Sequence, residues 1–208
     1  MSSSRIYPNV ELGDGVVIED FCIIGKPPAG AAEGELPTKI GADSVIRSHT
    51  VIYAGNVIGK HFSTGHHAVI RELNQIGDDV SVGTLSCIEH HVRIEDGVRI
   101  HSQAFIPEYS VLKKGCWLGP KVALTNAKYP RGHHVKENLR GPVVGEGAKI
   151  GANSTVLPGV AIGKQALIGS GSVVTRDVAP FAVAYGNPAR PRSDIRDNPE
   201  YETTENDR

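Results

Sequence analysis

Four polar side chains stand at intervals of 18 residues, Glu72, His90, Glu108 and Asn126, and the positions after them read Leu73, His91, Tyr109 and Ala127. An imidazole beside carboxylates has its orientation fixed through one nitrogen and keeps the other for accepting a proton, the arrangement that general-base chemistry needs. The Asn126 amide adds a donor suited to a developing oxyanion. If residues 18 apart are brought together, His90, Glu108 and Asn126 are the expected catalytic groups. Glu72, His91 and Tyr109 then stand where an acceptor substrate would be held. The plainer reading is a solvated polar ladder. Against it, the long irregular stretch 126–142 (NAKYPRGHHVKENLRGP) springs from the last of the four positions, and long excursions from a regular scaffold are more often functional than decorative.

A repeat of six residues brings such positions together. Twenty-five hexads open on an aliphatic residue with the sole exception of Thr64: four from Ile6 to Ile24, fifteen from Ile40 to Leu124 and six from Val144 to Val174. A period of six matches neither an ordinary strand nor a helix, and marks a short strand followed by a turn. The second slot is often glycine, as at Gly41, Gly83 and Gly119, and the fifth is mostly small or β-branched, as at Ser44, Thr50 and Ala68. An ordinary sandwich does not predict a fixed register over so many steps. Three hexads closing one triangular coil stack residues 18 apart on neighbouring rungs, with the third and fourth slots at the corners. The expected fold is all-β: a single-stranded parallel β-helix over residues 1–178, with loops 26–38 and 126–142 extruded from it. The extension 179–208 is expected to be partly disordered, frayed or lightly helical.

A chain of 208 residues suffices for one domain with a continuous core, and 5% aromatic residues suit a narrow prism filled by aliphatic side chains. A net charge of -1 suggests neither a nucleic-acid nor a membrane partner. Met1 to Arg5 runs straight into the first hexad and no apolar run approaches spanning length, so the expected location is cytoplasmic. Cys22, Cys87 and Cys116 lack the spacing of a zinc knuckle or a redox pair and are expected to be buried or half-buried thiols.

The hexads, GANSTVLPGVAIGKQALIGSGSVVTRDV and the closing YGNPAR resemble the left-handed β-helix hexapeptide-repeat acyltransferases. TGHHAVIRE, IPEYSVL and GPKVALTNAKYP further resemble the branch that includes N-acetyltransferases of nucleotide-linked amino sugars. The resemblance implies a left-handed coil, a homotrimer, acetyl-CoA as co-substrate with no metal, and active sites in clefts between subunits. It implies that the pantetheine arm lies along the last coils, near Gly151, Ala152, Gly169 and Ser170. It also implies that Arg176 and Arg190 meet the CoA phosphates, for which a guanidinium fork is suited. His66 and Tyr129, within the similar segments, are expected at the acceptor.

Many O-acetyltransferases of this fold carry a histidine in the loop corresponding to LTNAKYP, just before the proline. Here Lys128 and Tyr129 stand there, and His133 and His134 come too late. The departure suits an amine acceptor, which is already nucleophilic, better than a sugar hydroxyl. A sugar O-acetyltransferase remains the alternative. A second is zinc chemistry similar to the γ-class carbonic anhydrases, for which His49 and His67 are expected to stack and His61 and His66 have the pair spacing; the upstream position of that pattern falls near Gly25 and offers no histidine. A third is a non-enzymatic trimeric scaffold.

Overall fold

The computed structural model describes residues 3–201. Most strands are two residues long and consist of the sixth slot of one hexad and the first of the next, as in Val69–Ile70 and Cys87–Ile88. Ile70 pairs in parallel with Ile52 on one side and Ile88 on the other, so each rung sits 18 residues from its neighbour. Among the described residues this generates three sheets of nine, eight and ten strands, the faces of a triangular prism, coiled as a left-handed β-helix. The first sheet carries Ile70 and Ile88, the second Ile76 and Ile94, and the third Val82 and Ile100.

Each corner is made at the fourth slot, where the backbone turns into the left-handed region: φ is 56° at Asp43, 62° at Leu73 and 63° at Tyr109. Asn, Asp, His and Gly tolerate this conformation best. His49, His61, His67 and His91 all occupy it, so turn geometry alone accounts for part of the chain's histidine content. His66 and His90, in the third slot, are not explained that way. The glycine column has a steric cause: a Cβ on Gly41 would stand 2.4 Å from the Gly59 carbonyl carbon of the next rung.

First and fifth slots together fill the prism, from Cys22 and Ile24 to Val174. The first coil departs from this: Ile6 and Leu12 are exposed, and among the described residues Arg5–Ile6 pairs with a rung on one side only. Thr64 is buried without penalty because its hydroxyl meets Thr50 Oγ1 at 3.1 Å and accepts from Arg47 N at 2.9 Å. Two fully buried asparagines in the fifth slot act as internal staples. Asn56 Oδ1 accepts from Asn74 N at 2.9 Å, Asn74 Oδ1 accepts from Val92 N at 2.7 Å, and both amides donate to the Arg71 carbonyl at 2.8 Å. Burial pushes the thiols up, Cys87 to about 11 and Cys116 to about 12, which leaves them protonated and poor nucleophiles at neutral pH.

Both loops leave a strand of the first sheet and return to one of the second. One connects Ile23–Lys26 to Thr38–Ile40, so Lys26 and Thr38 belong to strands and the loop is shorter at each end than 26–38. The other connects Ala123–Leu124 to Val143–Val144 and includes a 3-10 turn at Lys136–Asn138. The extension is more ordered than its composition announces. Ala182–Gly186 and Ala189–Asp194 form an antiparallel hairpin joined to the third sheet through Leu167 and Val183, and Ile195 is buried in the 3-10 turn that follows. The rest of the expected tail, residues 202–208, lies outside the described residues. No helix among the described residues is long and apolar enough to cross a membrane.

Candidate active site

The corner between the first and second sheets holds the column expected from the sequence, and both loops open from it. Glu108 is its hub. The Asn126 amide donates to Glu108 Oε2, and His90 Nε2 lies 3.4 Å from Glu108 Oε1. His90 Nδ1 lies 2.8 Å from His91 Nδ1, so both ring nitrogens of His90 face protein partners. Tyr109 closes the cluster, its ring 6.3 Å from that of His90 and 5.9 Å from that of His91.

Glu72 occupies the same column and pairs with its neighbour Arg71, while His90 acts on its carboxyl through space. Arg71 grips it in fork fashion, Nε to Oε2 at 2.9 Å and Nη2 to Oε1 at 3.0 Å, and reaches Glu89 at 3.4 Å. Burial works to raise the Glu72 carboxyl, and the Arg71 pair, a backbone hydrogen bond and the nearby His90 together more than offset it, so the group sits below the usual carboxylate range. Glu72 is therefore a fixed anion that leaves Glu108 to orient the histidines. Sequence reasoning missed Arg71 and Glu89; the available signal was an arginine in a slot where many hexads carry glycine.

The second loop folds beside this corner. It is tied back by Arg140 N donating to the Asn126 carbonyl at 2.9 Å. Under it lies a cavity of about 750 Å³, lined among others by Lys128, Tyr129, His133, His134, Arg140 and Pro158. Tyr129 thus lines the loop cavity, one step along the prism from Asn126. Arg176, in the third slot of the last hexad, ends the same corner column and is exposed.

Apart from Arg176, the residues expected at the donor sit elsewhere. Gly151, Ala152, Gly169 and Ser170 line a second cavity of about 630 Å³ on the third sheet, with Trp117, Lys149 and Tyr201. Two of the backbone donors there are already used, Gly151 N by the Ile168 carbonyl at 2.7 Å and Gly169 N by the Ala184 carbonyl at 2.9 Å. Arg190 lies on the exposed side of the hairpin and donates to its own neighbour, the Ala189 carbonyl, at 2.9 Å. His101, in the second slot of this sheet where the rungs on either side carry Gly83 and Gly119, packs its ring 4.7 Å from Trp117. Its Nε2 is buried without a partner, and burial, with a contribution from Arg99, holds its pKa below the ordinary value. The sequence reading did not single it out; an imidazole in a glycine column was the signal.

The corner between the third and first sheets carries His49, His66 and His67. His49 and His67 stack with ring centres 4.6 Å apart, as their spacing predicts. His66 Nδ1 meets Ser48 Oγ at 2.8 Å, and His61 turns to Asp79 at 2.9 Å on a different corner. His61 and His66 therefore do not converge. Among the described residues no three His, Cys, Asp or Glu side chains are arranged to hold a metal ion.

Residues 141–176 match the family described as bacterial transferase hexapeptide (six repeats). The chain is 54% identical over 54 residues to dTDP-3-amino-3,6-dideoxy-alpha-D-galactopyranose 3-N-acetyltransferase of Aneurinibacillus thermoaerophilus, a match spanning 26% of this chain and only 28% of that relative. It is 26% identical over 159 residues to galactoside O-acetyltransferase of Escherichia coli (strain K12), spanning 69% of this chain and 78% of the relative. Among solved structures, a UDP-N-acetylglucosamine acyltransferase from Bacteroides fragilis aligns with a TM-score of 0.55 at 16% identity, over 100% of this chain and 80% of that one. That likeness bears on the fold alone, and it is the left-handed β-helix already described.

Proposed function

We propose that this chain, whose residues 141–176 match the hexapeptide-repeat transferase family, is an acetyl-CoA-dependent N-acetyltransferase acting on a nucleotide-linked amino sugar. The observation that carries this reading is the Asn126–Glu108–His90–His91 cluster at the mouth of the long loop. It gathers an imidazole pair, a carboxylate that orients it and an amide donor at one exposed corner. The neutral acceptor amine attacks the thioester carbonyl, the imidazole pair takes its proton, and the tetrahedral oxyanion meets the Asn126 amide or a backbone N–H. CoA leaves as a thiolate and needs little acid assistance. No histidine precedes Pro130 in the loop, where Lys128 and Tyr129 stand, and this favours the amine over a hydroxyl. The second reading, a sugar hydroxyl as acceptor, is favoured by the likeness to galactoside O-acetyltransferase, which spans more of the chain.

The proposed protein is a cytoplasmic homotrimer with no nucleic-acid or membrane partner. Within one chain the imidazole corner and the cavity of Gly151, Ala152, Gly169 and Ser170 lie on different edges of the prism. A donor in that cavity reaches an acceptor at the corner only if a neighbouring copy supplies one of the two. Sedimentation is expected to give a trimer at micromolar concentration, and a stable monomer there contradicts the arrangement.

Acetyl-CoA binding measured by calorimetry tests the enzyme against the scaffold reading. Binding with micromolar to millimolar affinity supports the enzyme; its absence sinks it. Arg176→Ala is expected to weaken that binding by roughly 10- to 100-fold, the worth of a charge-assisted phosphate contact of about 1.5–3 kcal/mol. Its side chain is exposed, so the unfolding midpoint is expected to stay unchanged. An unaltered dissociation constant removes Arg176 from the donor site.

A further inference from the structure

Two imidazoles with nitrogens 2.8 Å apart share one proton between them when both rings are neutral, and the neighbours decide which ring holds it. Asn126 Nδ2 donates to Glu108 Oε2, a contact that suits a carboxylate acting as acceptor. Glu108 Oε1 then faces His90 Nε2 at 3.4 Å, and a carboxylate there favours the proton on Nε2. A neutral ring carries only one proton. His90 Nδ1 is therefore a lone pair, and the proton in the 2.8 Å contact belongs to His91 Nδ1. His91 in turn has its lone pair on Nε2. His91 is exposed while His90 is half-buried, so the unprotonated nitrogen belongs to the ring that solvent and substrate reach.

We propose that His91 is the proton acceptor of the reaction, that His90 is a positioning residue holding it in its less common tautomer, and that Glu108 and Asn126 set the proton pattern of both. This rests on the acetyl-transfer reading for its chemistry but not for the tautomers, which are a property of the resting protein. In the reaction, the amine nitrogen forms a bond to the thioester carbon as the carbonyl electron pair moves onto oxygen, and the amine proton passes to His91 Nε2. The C–S bond then breaks with its electron pair on sulfur, and the His91 imidazolium returns its proton to the thiolate or to water. Throughout, His91 Nδ1–H points at the His90 lone pair and His90 Nε2–H at Glu108, so a positive charge on His91 is met through the chain by a carboxylate. The sequence reading put the base at His90; the pairing of the two δ nitrogens moves it one residue along.

Charged and titratable groups around the pair are Glu89 on the same rung and Arg71, Glu72, Glu108 and Tyr109 on the neighbouring rungs. Glu72 and Glu89 pair with Arg71, and Glu72 acts on His90 only through space, which leaves Glu108 as the carboxylate in ion-pair contact with a ring nitrogen, at 3.4 Å.

The experiment is long-range proton–nitrogen NMR on the imidazoles of uniformly nitrogen-15-labelled full chain at about pH 8.5, where ordinary histidines are neutral, without any substrate. His91 is expected as the Nδ1–H tautomer and His90 as Nε2–H. In His90→Gln and Glu108→Gln, His91 is expected to revert to the usual Nε2–H form, a change that loss of mere packing would not produce. His91 as Nε2–H in the wild type, or an unchanged pattern in both variants, overturns the proposal. On an acceptor that the wild type acetylates, His91→Ala is expected to lower kcat by about 100-fold or more; wild-type kcat in that variant also overturns it. If no amino sugar is acetylated at all, the functional reading fails while the tautomer result still stands or falls by itself.

Discussion

Turnover of His90→Ala is expected to fall by about 100-fold or more, with the Michaelis constant changed far less. General-base contributions typically span 10²–10⁴, and His90 is the link through which Glu108 reaches the second imidazole. Its two contacts, 3.4 Å to Glu108 and 2.8 Å to His91, are both lost on truncation. The substrate pocket keeps its walls, because the side chain is half-buried at a corner and fills no part of the prism interior. A solvated ladder predicts the opposite, since removing a surface imidazole from it costs almost nothing. Steady-state kinetics across pH distinguish the two. If His90→Ala keeps wild-type turnover, the link from Glu108 through His90 does not set up proton removal, and if Asn126→Ala is inactive the amide alone carries the corner's contribution.

The largest expected effect on stability lies away from the site. Asn74→Ala is predicted to destabilise the fold by about 3 kcal/mol or more. Asn74 is fully buried, accepts the Val92 N–H and donates to the Arg71 carbonyl. Leaving one buried polar group unsatisfied costs about 1–3 kcal/mol; this truncation strands the Val92 N–H and opens a void in the prism, while the Arg71 carbonyl keeps the Asn56 amide. Denaturant unfolding reads the effect directly. A loss below about 1 kcal/mol would mean that water enters the prism and satisfies the stranded N–H. Arg71, whose carbonyl both asparagines use, carries the guanidinium that fixes Glu72, so the buried staple and the wall of the site share one residue.

The prism was legible because hexads from Ile6 to Val174 keep register across two loops, and the structure stacks them at the predicted spacing. Thr64 was legible only as an exception; its explanation, a partner hydroxyl on Thr50, is a contact across the prism interior that periodicity does not encode. The hairpin of Ala182–Gly186 (AVAYG) and Ala189–Asp194 (ARPRSD) went unread because it follows no hexad phase, because its second strand is polar, and because it is stabilised by adding to an existing sheet edge.

At the corner, spacing placed Glu72, His90, Glu108 and Asn126 on one line, which is where the structure puts them. What spacing could not supply is side-chain direction. Glu72 turns to Arg71, and His90 turns one nitrogen sideways to His91. The histidine content misled as well as guided, since His49, His61, His67 and His91 all sit at the positive-φ slot that the turn itself favours for such residues. The cavity of Gly151 and Gly169 and the imidazole corner were set on separate edges only once the sheets were assigned.

Free-thiol release from acetyl-CoA, followed with the purified protein against matched pairs of nucleotide sugars that differ only in bearing an amino or a hydroxyl group, tests the central claim most directly. The account predicts thiol release with at least one amino sugar, stoichiometric with an N-acetylated product by mass spectrometry, and little or none with its hydroxyl partner. Equal or faster release with the hydroxyl sugar, or none with any amino sugar while acetyl-CoA still binds, contradicts it.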